Sequence, residues 1–212
     1  VPTAELAATP SEGLAEAAAS LLAFAGSRRP REAKLRVLPP GPGRGPNPVV
    51  EIVNDDMPFL VDSALAALAL RGRTVRQLLH PIMPVRRDAE GGLLAIEEGS
   101  RLRESMMRIA LAPGVAVTLG AGGPAPKADD WTGLHAALIR AMADVRLAVN
   151  DFDAMVARLR GAEAEVEEAE AAEFLRWLAD DNFVLLGHRR LVLPRACLVD
   201  GAHIGDAAGR GG

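Results

Sequence analysis

The stretch Val49–Arg87, VVEIVNDDMPFLVDSALAALALRGRTVRQLLHPIMPVRR, decides the fold. Val49 to Val53 is a short apolar run, and it ends in an acidic turn, Asn54-Asp55-Asp56. Pro58 follows where a first helical residue is expected, since proline lacks only an N–H that would be orphaned there anyway. The helix is expected to run through Leu70 and to stop at Arg71-Gly72, glycine being the usual residue past a helix end. A second apolar-rich segment, Val75 to about Val85, reads as a strand. Its Pro81 and Pro84 place it at a sheet edge or at a bulge, because proline cannot donate to a ladder. Strand, acidic turn, helix and strand thus follow within one unit. The turn has two readings. Asp55 or Asp56 caps the helix, or the unpaired N–H groups of the helix start seat a small carboxylate or phosphate.

Outward from this unit, helices and strands alternate. Ser11 to Ala25 is a helix with Leu14, Ala18, Leu21 and Ala25 on one face, after start chemistry at Thr9-Pro10-Ser11-Glu12. Ser27 to Arg31 is a basic turn, Lys34 to Leu38 a short strand, and Pro39 to Pro48 (PPGPGRGPNP) a linker. Asp88 to Gly92 turns the chain, and Leu93 to Ile96 begins a third strand. Ser105, Met107, Ile109 and Leu111 alternate with Glu104, Met106, Arg108 and Ala110, the period of a strand with two unlike faces. Gly120 to Pro126 is a loop. Asp129 and Asp130 start a long amphipathic helix striped by Leu134, Leu138, Ala141, Val145, Ala148 or Val149, and Phe152; Asn150-Asp151 breaks or bends it. Glu163 to Leu178 is a further helix, stopped by Asp180-Asp181-Asn182, and Phe183 to Leu193 reads as a strand. The order favours an α+β fold of the ferredoxin-like, split β-α-β kind, an antiparallel sheet covered on one face by helices. Either Lys34 to Leu38 or Phe183 to Leu193 completes its sheet. The helix from Phe59 to Leu70 has only Asp62 and Ser63 as polar positions, so the sheet and a second helix or a partner chain should cover it.

Composition excludes more than it proposes. The 212 residues hold 49% apolar residues and a net charge of −4, which gives no reason to expect nucleic acid. Only Lys34 and Lys127 are lysine among 24 basic residues, so 24 − 2 = 22 are arginine, the mark of a GC-rich bacterial gene. A single cysteine, Cys197, excludes an intrachain disulfide. No apolar run reaches the roughly 20 residues of a membrane span, and VPTAELAATP does not read as a signal peptide. A cytoplasmic protein is expected. The end, GDAAGRGG, reads as a tail or a truncation.

No motif forces a reaction. Gly120 to Pro124 lacks dinucleotide-fingerprint spacing. His80, His135, His188 and His203 are scattered without zinc spacing. Ser63 and Ser105 have no evident base. Arg71, Arg73, Arg76, Arg86 and Arg87 surround the central unit, as a solvated rim or as contacts to an anionic ligand or surface.

Five blocks in order resemble the N-terminal region of the large bacterial NAD-specific glutamate dehydrogenases. They are Val50 to Ser63, His80-Pro81 with Val85 to Asp88, Glu104-Ser105 with Met107 and Ile109, Asp144 to Arg146 with Ala148-Val149, and Phe174 to Asp180 with Asn182-Phe183 and Leu186-Gly187. Met106 and His188 depart from that family, which tends to have tryptophan and tyrosine there. The resemblance implies ACT-like regulatory domains in this region, with an N-terminal helix and a C-terminal helical extension. It divides the chain into 1–48 (helix, strand and linker), an ACT-like domain 49–150, and 151–212 (helical connector and the start of a further unit). It implies no catalytic residue, metal or cofactor here, with NAD bound and L-glutamate deaminated elsewhere in the parent enzyme. ACT domains often carry a D-x-P-G-x-L-like turn near which amino acids bind; Asp56, Met57, Pro58, Phe59 and Leu60 stand at it, with Phe59 in the glycine's place. The turn and the resemblance together mark Asn54, Asp55, Asp56, Met57, Pro58, Phe59 and Leu60 as an effector or interface site, and the over-apolar helix adds Leu65 as an interface residue. The implied partners are other domains or subunits of the same enzyme and a small amino acid.

Overall fold

The computed structural model describes residues 11–42, 45–114 and 130–189. The chain forms two compact units, Val1–Asn150 and Asp151–Gly212.

Six antiparallel strands build the sheet of the first unit: β1 (Lys34–Leu38), β2 (Val49–Asp55), β3 (Val75–Leu79), β4 (Ile82–Arg87), β5 (Leu93–Ile96) and β6 (Leu102–Leu111). Their order is β1-β2-β6-β4-β5, with β3 also on β6. β6 is central because its alternation gives it two buried faces. β3 and β4 pair with the same side of β6 in one continuous register, Leu79 opposite Arg108 and Ile82 opposite Ser105. Only His80-Pro81 interrupts them. Met106 N–H donates to the Pro81 carbonyl at 3.0 Å, but Pro81 has no N–H to return. The expected strand from Val75 is therefore real, but its Pro84 half is not at an edge: β4 lies between β6 and β5. The irregularities fall at Val75/Gln77 and Arg86/Arg87 instead.

Lys34–Leu38 completes the sheet, and Phe183–Arg189 forms no strand. The segment Pro39–Pro48 is consequently the loop of the β1–β2 hairpin, not a linker between domains. The boundary expected at residue 49 falls between two strands of one sheet.

Three helices cover the sheet, on both faces rather than one. Helix α2 (Leu60–Leu70) and the start of α3 (Trp131–Glu165) share one core with Val50, Ile52, Met107 and Ile109, through Leu60, Ala64, Leu68, Leu134, Leu138, Met142 and Val145. Asp130 caps α3, its Oδ1 accepting the Gly133 N–H at 2.8 Å. Asn150-Asp151 does not break α3, which runs to Glu165. On the other face α1 (Ser11–Ala25) sets Leu21 and Ala25 against Val53, Val85 and Met106. Ala17, not Ala18, completes its inner face, since a methyl on either residue gives the sequence pattern no preference. The expected start at Thr9-Pro10 and the loop Gly120–Pro126 lie outside the described residues.

In the second unit α3 ends and α4 (Ala169–Trp177) follows, closed by a widened turn at Leu178–Asn182. Asp181 stops it with φ 57, the left-handed conformation that ends helices. No residue of α4 is buried; Phe174 and Trp177 stack with centroids 6.2 Å apart.

Candidate functional site

The turn after β2 carries the nominated residues, and it is built differently from either sequence reading. Asp55 belongs to β2 and caps nothing. The residue before α2 is Phe59, left-handed at φ 66, with no side-chain cap. That conformation excludes Phe59 and Pro58 from the helix, so α2 starts at Leu60 and not at Pro58. It is a conformation glycine adopts freely, so Phe59 holds glycine geometry at a steric cost. Asp56 and Pro58 are exposed, Phe59 is 43% exposed, Met57 packs on the core, and Leu60 is buried. Leu65 is half-buried on α2.

Asn54 and Asp55 are the turn's structural centre. Asn54 Oδ1 accepts the Asp55 N–H at 2.9 Å and Arg146 Nη2 of α3 at 2.5 Å. Its Nδ2 is buried and has no hydrogen-bond partner among the described residues. Asp55 Oδ1 accepts Arg28 Nη2 at 2.6 Å, and Oδ2 pairs with Arg146 Nη1 at 2.7 Å. Burial works against the Asp55 charge, but hydrogen bonds and charge from Arg28 and Arg146 outweigh it and hold its pKa below the usual 3.8. Opposite Asn54 across β2–β6 lies Ser105, whose Oγ meets His80 Nε2 at 2.8 Å. Burial holds the His80 pKa below 6.5, the Asp56 charge pulling the other way.

The face beneath α1 carries two buried glutamates. Asp55 stands directly opposite Glu104 across β2–β6, a like-charge pairing that a sheet disfavours. Arg28 resolves it: Nη2 donates to both carboxylates, and Nε donates to Glu104 Oε1 at 3.0 Å. Arg87 holds Glu104 from the other side through Nε and Nη2, each at 2.7 Å. Glu51, fully buried, accepts Ser20, Arg36 and Arg108. A cavity of about 580 Å³ lies against Arg28, Asp55, Arg87 and Leu102.

The arginine rim therefore divides. The Arg87 side chain is 4% exposed, and Arg73 is buried with its guanidinium 4.5 Å from the Trp131 ring centre. Arg71 and Arg86 form exposed pairs with Asp130 and Glu97. The sequence reading missed Arg28, Glu104 and Arg146. For Glu104 the available signal was a charged residue within a strand's alternation, as Glu51 shows between Val50 and Ile52; Arg28 follows α1 and Arg146 lies on α3, where no strand pattern could mark them. Among the described residues no group of three or more His, Cys, Asp or Glu could hold a metal, and no helix is long and apolar enough to cross a membrane. His203 and Cys197 lie outside the described residues.

A ferredoxin-like antiparallel sheet with an uncapped strand-to-helix turn defines a small α+β domain of the ACT class. Residues 1–114 match the model of the glutamate dehydrogenase ACT1 domain, and the chain belongs to that family. It is 30% identical over 203 residues to the NAD-specific glutamate dehydrogenase of Halomonas elongata, covering 89% of this chain and 12% of that protein. It is 32% identical over 165 residues to the protein of the same description from Mycobacterium tuberculosis, covering 69% of this chain and 9% of that protein. The chain thus spans about a tenth of the length of these relatives.

Proposed function

We propose that this chain is a non-catalytic, N-terminal regulatory and assembly module of a large cytoplasmic NAD-dependent glutamate dehydrogenase. The other domains of that enzyme would bind NAD and convert L-glutamate to 2-oxoglutarate and ammonia. The observation that carries the assembly role is α2. Its inner face fills the core, while Leu70 is 72% exposed, Phe59 just before it is 43% exposed, and Leu65 is half-buried at the margin of the inner face. Apolar surface of this kind suits a docking contact with another domain or subunit. In the full-length enzyme Leu65→Asp should shift the oligomer towards smaller species on size exclusion while the far-UV circular dichroism stays unchanged. An unaltered oligomer would refute the contact.

A second reading, an amino-acid effector site at Asn54 to Leu60, draws on one observation. The buried Asn54 Nδ2 lacks a partner among the described residues, beside a helix start without a side-chain cap. Calorimetric titration with glutamate, aspartate and arginine, with NAD as a control, tests it. Saturable heat that is lost in Asp56→Asn supports the site; a flat titration rejects it.

A further inference from the structure

The second unit has no core of its own. Of its described residues, 151–189, only Met155 and Ala179 are buried. Two ion pairs, Arg160–Asp180 and Arg176–Glu163, join α4 and its closing turn to the end of α3. Both arginines are half-exposed, and pairs of that kind contribute little. Helix α4 itself has nine residues, none of them buried. A helix shorter than roughly 12–15 residues is marginal in water, and its stability comes from packing an apolar face against something else.

Such a face is present. Phe174 and Trp177 are three positions apart and stack on each other. Past the turn, the chain adds Phe183, Val184 and Leu186, and these five side chains are 48% to 73% exposed. Phe183 is fully extended, at φ −144 and ψ 143. The apolar run it opens has the composition of a strand, yet Phe183–Arg189 pairs with no strand among the described residues. An apolar helix face and an unpaired extended segment are each half of a packing arrangement, since a helix stripe or a strand must bury its apolar side against another element.

We propose that α4 and Phe183–Leu186 form one side of a further core. The other side is polypeptide that follows residue 212 in the same subunit of the parent enzyme, and it includes a strand that pairs with Phe183–Leu186. This rests on the N-terminal placement proposed above. There is chain enough to supply it, because the region matched in the Halomonas elongata protein is 12% of that protein. Consecutive elements are usually neighbours in space, and sequential strands usually pair, which favours the following chain over a second subunit.

Hydrogen exchange read by mass spectrometry, on the 212-residue chain and on the full-length enzyme, tests this. Peptides within 169–186 should exchange roughly tenfold or more slowly in the full-length enzyme. Trp177→Asp should leave the melting temperature of the 212-residue chain unchanged, because the side chain is exposed there. In the full-length enzyme it should abolish the protection, while size exclusion still shows the wild-type oligomer. Exchange equally fast in the two wild-type proteins overturns the proposal, and this comparison decides the matter if Trp177→Asp does not fold in the full-length enzyme. Slow exchange already present in the 212-residue chain overturns it too, since the cover then lies within that chain. A smaller full-length oligomer in Trp177→Asp places the cover on another subunit, and self-association of the 212-residue chain that Trp177→Asp removes places it on a second copy; each overturns the proposal. Glutamate-dependent reduction of NAD by the wild-type full-length protein is measured alongside, and its absence counts against the proposed parent activity rather than against this contact.

Discussion

Removing the Arg28 guanidinium should destabilise the domain by about 3 kcal/mol or more, the penalty for leaving buried charge without its partner. Arg28→Met keeps the aliphatic stem and deletes the charge. The wild-type side chain is 1% exposed and donates to Glu104, Asp55 and the Glu32 carbonyl. Its loss leaves Asp55 and Glu104 directly opposed across β2–β6. Arg87 still holds both Glu104 oxygens and Arg146 still holds Asp55, which keeps the cost near the lower end of about 3–5 kcal/mol. Urea unfolding followed by far-UV circular dichroism measures it. With a slope of about 1–3 kcal/mol per molar, the midpoint should fall by about 1–3 M. Glu104→Gln in the same chain should restore part of the loss, giving a coupling of about 2 kcal/mol in a double-mutant cycle. The Asp55 pKa is depressed in the fold, so its contribution is present above 3.8 and is lost as the pH falls below that value. The gap between wild type and Arg28→Met should therefore close on acidification. A loss below about 1 kcal/mol at neutral pH, the value of a solvated pair, would refute the argument.

Two further perturbations address neighbouring parts of the same unit. Gly91 sits at φ 90 in the turn before β5, its carbonyl accepts from both Arg28 N–H and Arg87 Nη1, and an added Cβ would collide with the Arg28 carbonyl. Gly91→Ala should cost about 2 kcal/mol in urea unfolding, from left-handed backbone strain alone. His80 has a depressed pKa, so below 6.5 the unfolded chain takes up the proton first and stability falls. Melting temperatures between pH 8 and 5.5 should drop in the wild type and drop less in His80→Gln; equal slopes would remove His80 from the account.

What the sequence made legible was periodicity. Met107, Ile109 and Leu111 recur at every second residue and share one buried face, with Met106 on the other; Leu134, Leu138 and Val145 recur at helical spacing and reach the core. The helix cap at Asp130 was readable because a cap is a local hydrogen bond. The polar network was not readable, because it joins residues that sequence spacing does not relate. Arg28 and Glu104 are 76 positions apart, and they meet where the chain after α1 bridges the turn before β5, Ser27 opposite Gly92. Glu104 stands in the alternation of β6, but nothing local names Arg28 and Arg87 as the partners that its burial requires. At the turn, the pattern from Asp56 to Leu60 was visible, but the left-handed Phe59 was not, because a bulky residue is the wrong sequence signal for that conformation.

The topology ties the sheet to the helix that leaves it. The strand beside β2 is β1, supplied before β2 as the first arm of a hairpin, so the chain need not return to the sheet after α3. All six strands end by Leu111, within the residues 1–114 that match the family. The core does not end there. Leu134, Leu138, Met142 and Val145 are buried against the sheet and lie beyond residue 114. At about 1.5–3 kcal/mol for each large apolar side chain, their removal forfeits upwards of about 6 kcal/mol, comparable with the whole stability of a domain at about 5–15 kcal/mol. It also leaves Ile52, Met107 and Ile109 uncovered on one face, and Asn54 and Asp55 without Arg146. A chain cut after Gly114 should therefore lose cooperative urea unfolding followed by far-UV dichroism, while one cut after Asn150 retains it. Cooperative unfolding of the shorter chain with a midpoint close to that of the longer one would show that the matched region carries its own core, and that α3 merely lies against it.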